Sequence, residues 1–410
     1  MLKIGLIGFG TVGSGVYERL VNTREQIQQL IGSDFKITAV LVKDSQKKRT
    51  LHVDAVVTTS WKEFCGIEQY DIIFEAIGGI EPAFSYTAEW LQRGIPVITA
   101  NKKLVAEKGN ILEKMAEEHS TYYGYEAAVA GGIPIINALK GTLMTTSISR
   151  VAGVLNGTTN YMLTEMIENH RPFTDVLLEA QELGYAEADP TDDIEGFDAW
   201  YKIRILSRLC FGEWPMQEEF SRKGVSEIED WHVEIGERFG FKVKLIGEAR
   251  QSNSGVKGRV TPAFLTLTEP LANVRGVMNG ITLEGESITE LLFVGPGAGK
   301  EATSNSMVED FLFHERAKSD KRCVTIKAGE EKGTFTHALL FIKHSERKDA
   351  LNWIKDQKVS VIDTCDHPEG EGWIIYEEPF ASPFKQFPIY GDVSLRKRTK
   401  TMHSTQFGAL

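Results

Sequence analysis

Cysteine is scarce: four thiols, Cys65, Cys210, Cys323 and Cys365, are scattered through 410 residues. No two form a CxxC pair or stand at zinc-ligand spacing. That argues against a disulfide framework or a zinc site, and the four read as reduced cytoplasmic thiols. Long hydrophobic runs are lacking too. No segment approaches the roughly 18 apolar residues of a membrane span, and the apolar run in MLKIGLIGFG (1–10) is too short for a signal peptide. Basic charge is outweighed, 46 Lys and Arg against 57 Asp and Glu, for a net charge of −11. These absences take membrane and nucleic acid off the list of expected partners. No repeat or low-complexity stretch stands out. The balance, 42% hydrophobic and 25% charged, is that of a soluble fold, and 410 residues exceed one core, so two or three domains are expected.

What is present begins with glycine. A β run over 2–7 leads into Gly8-Phe9-Gly10-Thr11-Val12-Gly13, then an amphipathic helix over about 14–31. This is GxGxxG in strand–turn–helix context. The first glycine makes the tight turn, the second lets backbone approach a pyrophosphate, and the third lets helix pack on strand. The helix N-terminus faces the phosphate charge. The pattern predicts dinucleotide binding. A second strand, 35–42, ends at Lys43-Asp44. An acid there accepts from the ribose 2′-OH of NAD, whereas a lysine favours the 2′-phosphate of NADP. The acid falls further from the glycines than the usual ~20 residues, and Lys47, Lys48 and Arg49 follow, so NADP is expected, with NAD use open. Buried strands are expected at 70–77 and 95–100, and a fifth at 121–126. Gly78 and Gly79 would let a nicotinamide lie against backbone. Lys102, at a strand's carboxyl end, is placed to touch cofactor or substrate.

The stretch GYAEADPTDDIEGFDAWYK (184–202) carries Glu187, Asp189, Asp192, Asp193, Glu195 and Asp198 and ends on Lys202. Pro190 and Thr191-Asp192 read as a turn and helix start, with Asp192 or Asp193 as N-cap and a helix over about 194–210. At about 100° per residue, Ile194, Asp198, Lys202, Ile205 and Leu209 share one stripe, with Trp200, Arg204, Ser207 and Arg208 opposite. On a solvated face an Asp–Lys pair four residues apart is worth only about a few tenths of a kcal/mol. Set among Ile and Leu, it reads instead as polar groups aimed into a closed site.

Around this stretch, Glu126 precedes AAVAGGIP, a loop able to turn carbonyls about a cation with a carboxylate to balance charge. Helices are expected near 134–145, 161–169, 175–183 (stopping at Gly184) and 228–239, and residues 156–160 form a capping turn that can also face a site. Strands at 149–155, 241–249, 258–264, 274–280 and 280–286 suggest a mixed sheet carrying the substrate helix on one face. GPGAG at 295–299 precedes a helix over about 302–313, a second glycine turn able to approach a cofactor.

Together these pieces resemble the homoserine dehydrogenase family: GFGTVG at 8–13, ANKK at 100–103, EAAVAGGIP at 126–134, GVLNGTTNYML at 153–163, LGYAEADPTDDIEGFDAWYK at 183–202 and GPGAG at 295–299, in family order. The resemblance implies reversible NAD(P)-dependent hydride transfer between L-homoserine and L-aspartate 4-semialdehyde, on the aspartate-derived route to threonine, methionine and isoleucine. It implies that Gly8, Gly10, Thr11, Val12 and Gly13 cradle the pyrophosphate and that Lys102, Gly184 and Gly297 lie near the cofactor. Phe9 within the turn, Lys43 and Gly78 complete the cofactor set. It implies substrate contacts from Glu187, at the amino group, and Asp198, with Asp193 orienting the site and Lys202 donating the proton when the aldehyde is reduced. Glu126 and the carbonyls of Val129, Gly131 and Ile133 would hold a monovalent cation such as sodium, bracing the domain junction. The chemistry agrees, because an alkoxide develops on the substrate oxygen and a cation beside it both stabilises that charge and releases a proton. Burial pulls a lysine's pKa down while a carboxylate neighbour opposes the fall. The sequence leaves open whether Lys202 or Lys102 delivers the proton. Two departures stand out: the family's Pro-Thr-Ala after GPGAG is here Ala302-Thr303-Ser304, and Lys43-Asp44 leaves the choice between NADP and NAD open.

The expected architecture is α/β. A Rossmann-type doubly wound parallel sheet occupies 1–125, with a return helix near 300–317. An α+β substrate and dimerisation domain spans 126–299, a small ACT-like α+β domain 320–392 and a basic tail 393–410. Strand and helix segments are expected at 323–328, 335–342, 348–356, 359–364 and 373–377. The Asp-x-Pro-Gly start of ACT modules is missing, so threonine regulation stays open beside a structural or oligomerising role. A homodimer or homotetramer is expected. No kinase domain precedes residue 1, so the chain reads as monofunctional. Two other readings stand: a dehydrogenase of another amino-acid semialdehyde, and a nucleotide-sensing protein that lost its chemistry. The intact Glu187, Asp193, Asp198 and Lys202 oppose the latter.

Overall fold

Strand β1 (Leu2–Ile7) is buried from Ile4 to Ile7, as a parallel strand covered on both faces must be. The computed structural model describes residues 1–47, 49, 51, 55–67, 69–252, 255–317, 337–376 and 382–395. β1 pairs in parallel with β2 (Phe35–Leu41) on one side and β4 (Ile72–Glu75) on the other. Beyond them lie β3 (Val56–Thr58), β5 (Val97–Thr99) and β6 (Tyr123–Gly124), giving the order β3-β2-β1-β4-β5-β6. The chain therefore reverses direction of winding between β1 and β4, where an open α/β sheet leaves its binding crevice. The helices of this half are α1 (Thr11–Asn22), α2 (Arg24–Ile31), α3 (Trp61–Ile67), α4 (Ala83–Gln92) and α5 (Lys102–Glu118).

Two expectations change here. The single helix over 14–31 is two helices, α1 and α2. Thr23 breaks it: its backbone N–H and its hydroxyl both donate to the Arg19 carbonyl, at 2.9 and 2.8 Å, a local competition that bends helices. The strand over 121–126 shrinks to the two residues of β6 and is sixth, not fifth, because the three-residue β3 was too short to read from pattern.

The second sheet is mixed. It contains β7 (Ile148–Val154), β8 (Phe220–Arg222), β9 (Phe241–Ser252), β10 (Gly255–Thr266), β11 (Met278–Gly285), β12 (Thr289–Pro296), β13 (His337–Lys343), β14 (Val361–His367), β15 (Gly370–Tyr376) and β16 (Lys385–Tyr390). The order is β12-β11-β7-β9-β10-β16-β13-β15-β14, with β8 beside β10. β16 joins the C-terminal strands to β10 through Phe264–Ile389 and Leu265–Tyr390, so they continue this sheet. The strand expected at 323–328 and the basic residues from 396 onward lie outside the described residues. The helices are α6 (Ile135–Gly141), α7 (Gly157–Asn169), α8 (Phe173–Glu182), α9 (Thr191–Ile194), α10 (Phe197–Phe211), α11 (Asp230–Arg238), α12 (Lys300–Ala317) and α13 (Arg347–Gln357).

The two strands expected over 274–286 are one, β11. The Val274 carbonyl is taken by Asn160 Nδ2 (3.2 Å) and Lys244 Nζ (2.7 Å), and the Met278 carbonyl by Asn160 Nδ2 (3.0 Å), so side chains occupy the acceptors a ladder would need. β12, an edge strand, was not expected. Nor does one helix run over 194–210. Gly196, at φ +76°, separates the single turn α9 from α10, so Ile194 drops off the stripe and neither Asp192 nor Asp193 caps α10. The face of α10 opposite Asp198 is not solvated. Arg204 and Ser207 are buried, because that face packs on α5: Arg208 Nε pairs with Glu113 at 3.0 Å, and Arg204 lies 3.8 Å from Glu107. A helix sandwiched between sheet and helix is buried all round.

Candidate active site

The glycine turn sits at the carboxyl edge of β1. Gly8 has φ +97°, and a Cβ there would meet the Ala76 carbonyl at 2.6 Å. A Cβ on Gly13 would collide with the Gly8 carbonyl, while one on Gly10 would meet nothing. The turn is thus closed on its protein side and open on the cleft side. Gly10 stands at the N-cap of α1 without a side-chain cap, so the first amides, from Thr11, Val12 and Gly13, remain for an anion. Phe9 turns its ring edge-on to Tyr17, 5.5 Å between centroids. These residues fit a dinucleotide pyrophosphate. Across the crevice, Glu75 is fully buried. Its carboxylate accepts from Ile77 N at 2.7 Å and from the Thr99 hydroxyl, and burial pushes its pKa up to about 7 against those two bonds. Gly78 follows with open space on its α-carbon. Asn101 caps α5 through Leu104 N (3.1 Å) and donates to the Gly79 carbonyl (2.6 Å). Lys102, the first residue of α5, is thereby aimed from the edge of this sheet.

It meets the second sheet's helix. Asp198, 3% exposed, lies between two ammonium groups: Lys102 Nζ is 2.5 Å from Oδ1 and Lys202 Nζ 2.8 Å from Oδ2. Lys202 also donates to the Leu155 carbonyl at 2.6 Å. Asn156 bridges the carboxylates, with Nδ2 donating to Asp193 Oδ1 (2.6 Å) and Asp198 Oδ2 (3.0 Å) while its Oδ1 caps α7 at Thr159 N (2.8 Å). Burial alone would raise the Asp198 carboxyl, but Lys102 and Lys202 hold it well below the usual range. Burial pulls Lys202 below an ordinary lysine, with Asp198 opposing. Asp198 holds Lys102 above the ordinary value. Burial, then the Asp198 charge, raises Asp193. The two lysines differ in access: Lys202 is 6% exposed as a residue, and the Lys102 side chain is 42% exposed.

The other expected residues make bonds outside this hydrogen-bonded cluster. Glu187 is exposed on the loop after α8, where Gln181 Nε2 donates to its carbonyl (3.1 Å). Gly184 closes α8 with open space at its α-carbon. Lys43 is exposed; beside it Asp44 accepts from Gln46 N at 2.8 Å, and Arg49 folds back onto the Asp44 carbonyl at 2.5 Å. Glu126 caps α6, accepting from Ile136 N (3.0 Å) and Asn137 N, and its own N–H reaches Asp310 at 3.1 Å. Burial, with Asp310 nearby, pushes Glu126 up to about 8. The Gly131 carbonyl accepts from the Ser306 hydroxyl and the Ile133 carbonyl from Ile135 N (2.8 Å). Two buried carboxylates with the orphaned Asn137 Oδ1 close by are a donor set that a monovalent cation fits.

Sequence reasoning read Asn156 within a capping turn that can also face a site, and missed its bridge to Asp193 and Asp198. It missed Asn279 altogether. That side chain is wholly buried on β11 and donates to the Leu155 carbonyl at 2.8 Å. A single amide inside an apolar strand, VMNGIT, was the available signal.

Comparison with known proteins joins both halves. The family model described as "Homoserine dehydrogenase, NAD binding domain" matches residues 8–126, and that described as "Homoserine dehydrogenase" matches residues 134–312. A homoserine dehydrogenase of Lactococcus lactis is 38% identical over 314 residues, 76% of this chain and 73% of its own. The crystal structure of a homoserine dehydrogenase from Thiobacillus denitrificans superposes with a TM-score of 0.86 at 31% identity, covering 96% of this chain and 98% of that one. A hyperthermophilic archaeal homoserine dehydrogenase in complex with NADPH superposes with a TM-score of 0.67 at 27% identity, over 79% of this chain and 99% of that one.

Proposed function

The chain belongs to the homoserine dehydrogenase family, and from that premise we propose how its own residues divide the work. The reaction is the reversible NAD(P)-dependent interconversion of L-homoserine and L-aspartate 4-semialdehyde in amino-acid biosynthesis. The nicotinamide, when bound, supplies or accepts the hydride; binding, orientation and proton movement fall to the protein. Gly8, Phe9, Gly10, Thr11, Val12 and Gly13 hold the pyrophosphate by backbone, with Gly78, Gly184 and Gly297 along the rest of the dinucleotide. Glu187 takes the substrate's amino group. Asp198 and Asp193 orient the substrate, and Asn156 fixes the two carboxylates to each other. Lys202 gives its proton to the oxygen of the aldehyde as it is reduced, and takes it back when homoserine is oxidised. Lys102, on the same carboxylate and open to the cleft, returns that proton from solvent. The observation that carries this division is the single buried Asp198 carboxylate held between two ammonium groups, one from each sheet's helix.

NADP is the preferred dinucleotide. The exposed Lys43 and Lys47 beside the β2 end support this, as does the NADPH bound by the archaeal relative. Steady-state homoserine oxidation with NADP and NAD side by side tests it: a kcat/KM ratio of about ten or more for NADP is expected, since one charged hydrogen bond to the 2′-phosphate is worth about that factor. A ratio at or below one reverses the reading.

Glu126 with the carbonyls of Val129, Gly131 and Ile133 binds a sodium-like cation, which steadies the junction of the two halves rather than the chemistry. In choline buffer turnover is expected to fall several-fold and to return on adding sodium chloride, and Glu126→Ala is expected to lose that response. Sodium-independent turnover in the unsubstituted protein removes the site.

The functional units are 1–125 with the return helix α12, 126–299 and 320–392, followed by the tail. The assembly is a homodimer or homotetramer, a reading supported by edge strand β12, where Leu292 and Val294 are 43% and 49% exposed. The protein works in the cytoplasm. In support, Cys65, Cys210 and Cys365 are unpaired, and no helix of the described residues is long and apolar enough to cross a membrane. Threonine regulation through the C-terminal strands is tested in the same assays by adding the amino acid.

A further inference from the structure

Leu155 stands at the end of β7, and its carbonyl accepts two bonds, from Lys202 Nζ at 2.6 Å and from Asn279 Nδ2 at 2.8 Å. A carbonyl has two lone pairs, so both are used and its direction is set by the pair. Asn279 belongs to β11, whose neighbour on one side is β7 and on the other β12. On the β12 side it covers Gly297: a Cβ added there would overlap the Oδ1, Cγ and Nδ2 atoms of Asn279. The amide cannot turn over without facing two carbonyl-type oxygens at each other. Its Oδ1 is therefore held in a buried position with no hydrogen-bond partner among the described residues. An unsatisfied buried acceptor costs free energy comparable to a lost hydrogen bond, and such groups persist where a neighbouring requirement overrides that cost. Here the neighbouring requirement is the Leu155 bond.

Two of the three N–H groups of the Lys202 ammonium are committed, one to Asp198 and one to Leu155. The third is left for the reacting oxygen, and its direction follows from where the other two point. We propose that Asn279 is a positioning residue: it fixes the Leu155 carbonyl that aims Lys202, and by filling the space over Gly297 it ties the cofactor-side glycine turn to the ammonium on the substrate side. This rests on the reading of Lys202 as proton donor.

The test uses Asn279→Asp, Asn279→Ala, Gly297→Ala and the double variant Asn279→Ala/Gly297→Ala in the full chain. Semialdehyde reduction with NADPH is followed against pH, with NADPH affinity by fluorescence and melting temperature measured alongside. Asn279→Asp keeps the shape but removes the donor, so two oxygens face each other without a hydrogen at Leu155 and the carboxylate's charge stands near Lys202. A nearby negative charge favours the ammonium, so the alkaline limb of kcat is expected to move to higher pH. Asn279→Ala is expected to lower kcat about tenfold, the loss of one hydrogen bond to a charged array, with the KM for the semialdehyde within about twofold. Gly297→Ala is expected to be severe alone and several-fold milder in the Asn279→Ala background, since the overlap is gone. A purely structural amide would lower the melting temperature and leave the alkaline limb in place. An unmoved limb in Asn279→Asp, where Lys202→Ala is inactive, overturns this inference and leaves the proton-donor reading standing; turnover retained by Lys202→Ala removes that reading itself.

Discussion

Lys202→Ala lowers turnover by at least about a thousandfold in both directions, while NADPH affinity stays within about twofold of the unsubstituted chain. General acid–base catalysis by one positioned group contributes roughly 10²–10⁴, and loss of a preorganised donor at a developing oxyanion adds about 10²–10³; the two overlap because one ammonium serves both. Lys102 is the competing donor. The two lysines share Asp198, yet their shifts run in opposite directions: Asp198 holds Lys102 above the ordinary value, and burial draws Lys202 below it although Asp198 opposes the fall. A general acid works best with a pKa near the operating pH, which favours Lys202. Semialdehyde reduction needs the donor protonated, so its rate falls as pH rises through that group's pKa. Lys202→Ala abolishes this alkaline limb from the residual activity; Lys102→Ala lowers turnover by a smaller factor and keeps the limb. If the limb survives in Lys202→Ala and disappears in Lys102→Ala, the two roles are exchanged.

Much of this arrangement was legible because it is local. GxGxxG after β1 is a run of six residues whose geometry depends on its immediate neighbours, and Asp198 and Lys202 lie one helical turn apart. The long-range half was less legible. Lys102 meets Asp198 across 96 positions of sequence; the rule that α/β sheets bind ligands at their carboxyl edge and the family resemblance of ANKK brought it into view, but not its partner. Gly196 was printed in the sequence, but a glycine inside a helical pattern is more often tolerated than decisive, so the break before α10 and the lost stripe position of Ile194 went unread. Arg204 and Ser207 were placed opposite the Asp198 stripe, but periodicity reports which residues share a side and not what packs there; α5 covers that face and buries them. Asn279 offers only the faint signal of one amide inside an apolar strand. Its role emerges only when β11 is laid beside β7 with Gly280 opposite Val154, which no spacing rule supplies.

Asp198→Asn inverts the electrostatics of the cluster, and its two consequences have different pH signatures. Removing one partner of a buried ion pair costs about 3–5 kcal/mol, and Lys202 is the partner left behind, since Lys102 reaches water. The Asp198 carboxyl is depressed in the folded chain, so its stabilising contribution is fully present above the ordinary carboxylate value, near 3.9, and is lost only as pH falls through its lower folded value. The unsubstituted chain is therefore expected to be the more stable at neutral pH, with the difference shrinking in strong acid. At the other end, Lys202 is already drawn below its ordinary value by burial; without Asp198 beside it, and with Lys102 still near, it falls further. Its charged form then weakens the fold below that value, and the penalty is relieved as pH rises through it, so the variant's deficit also narrows in alkali. Urea titrations followed by tryptophan fluorescence across pH should trace a stability difference largest between these limits. The same fall leaves the donor less protonated at any given pH. Turnover in Asp198→Asn is expected to drop about a thousandfold, with the residual alkaline limb displaced to lower pH, opposite to the displacement expected for Asn279→Asp. A limb that stays put, in a variant that still binds NADPH, would mean that Asp198 does not set the charge on Lys202.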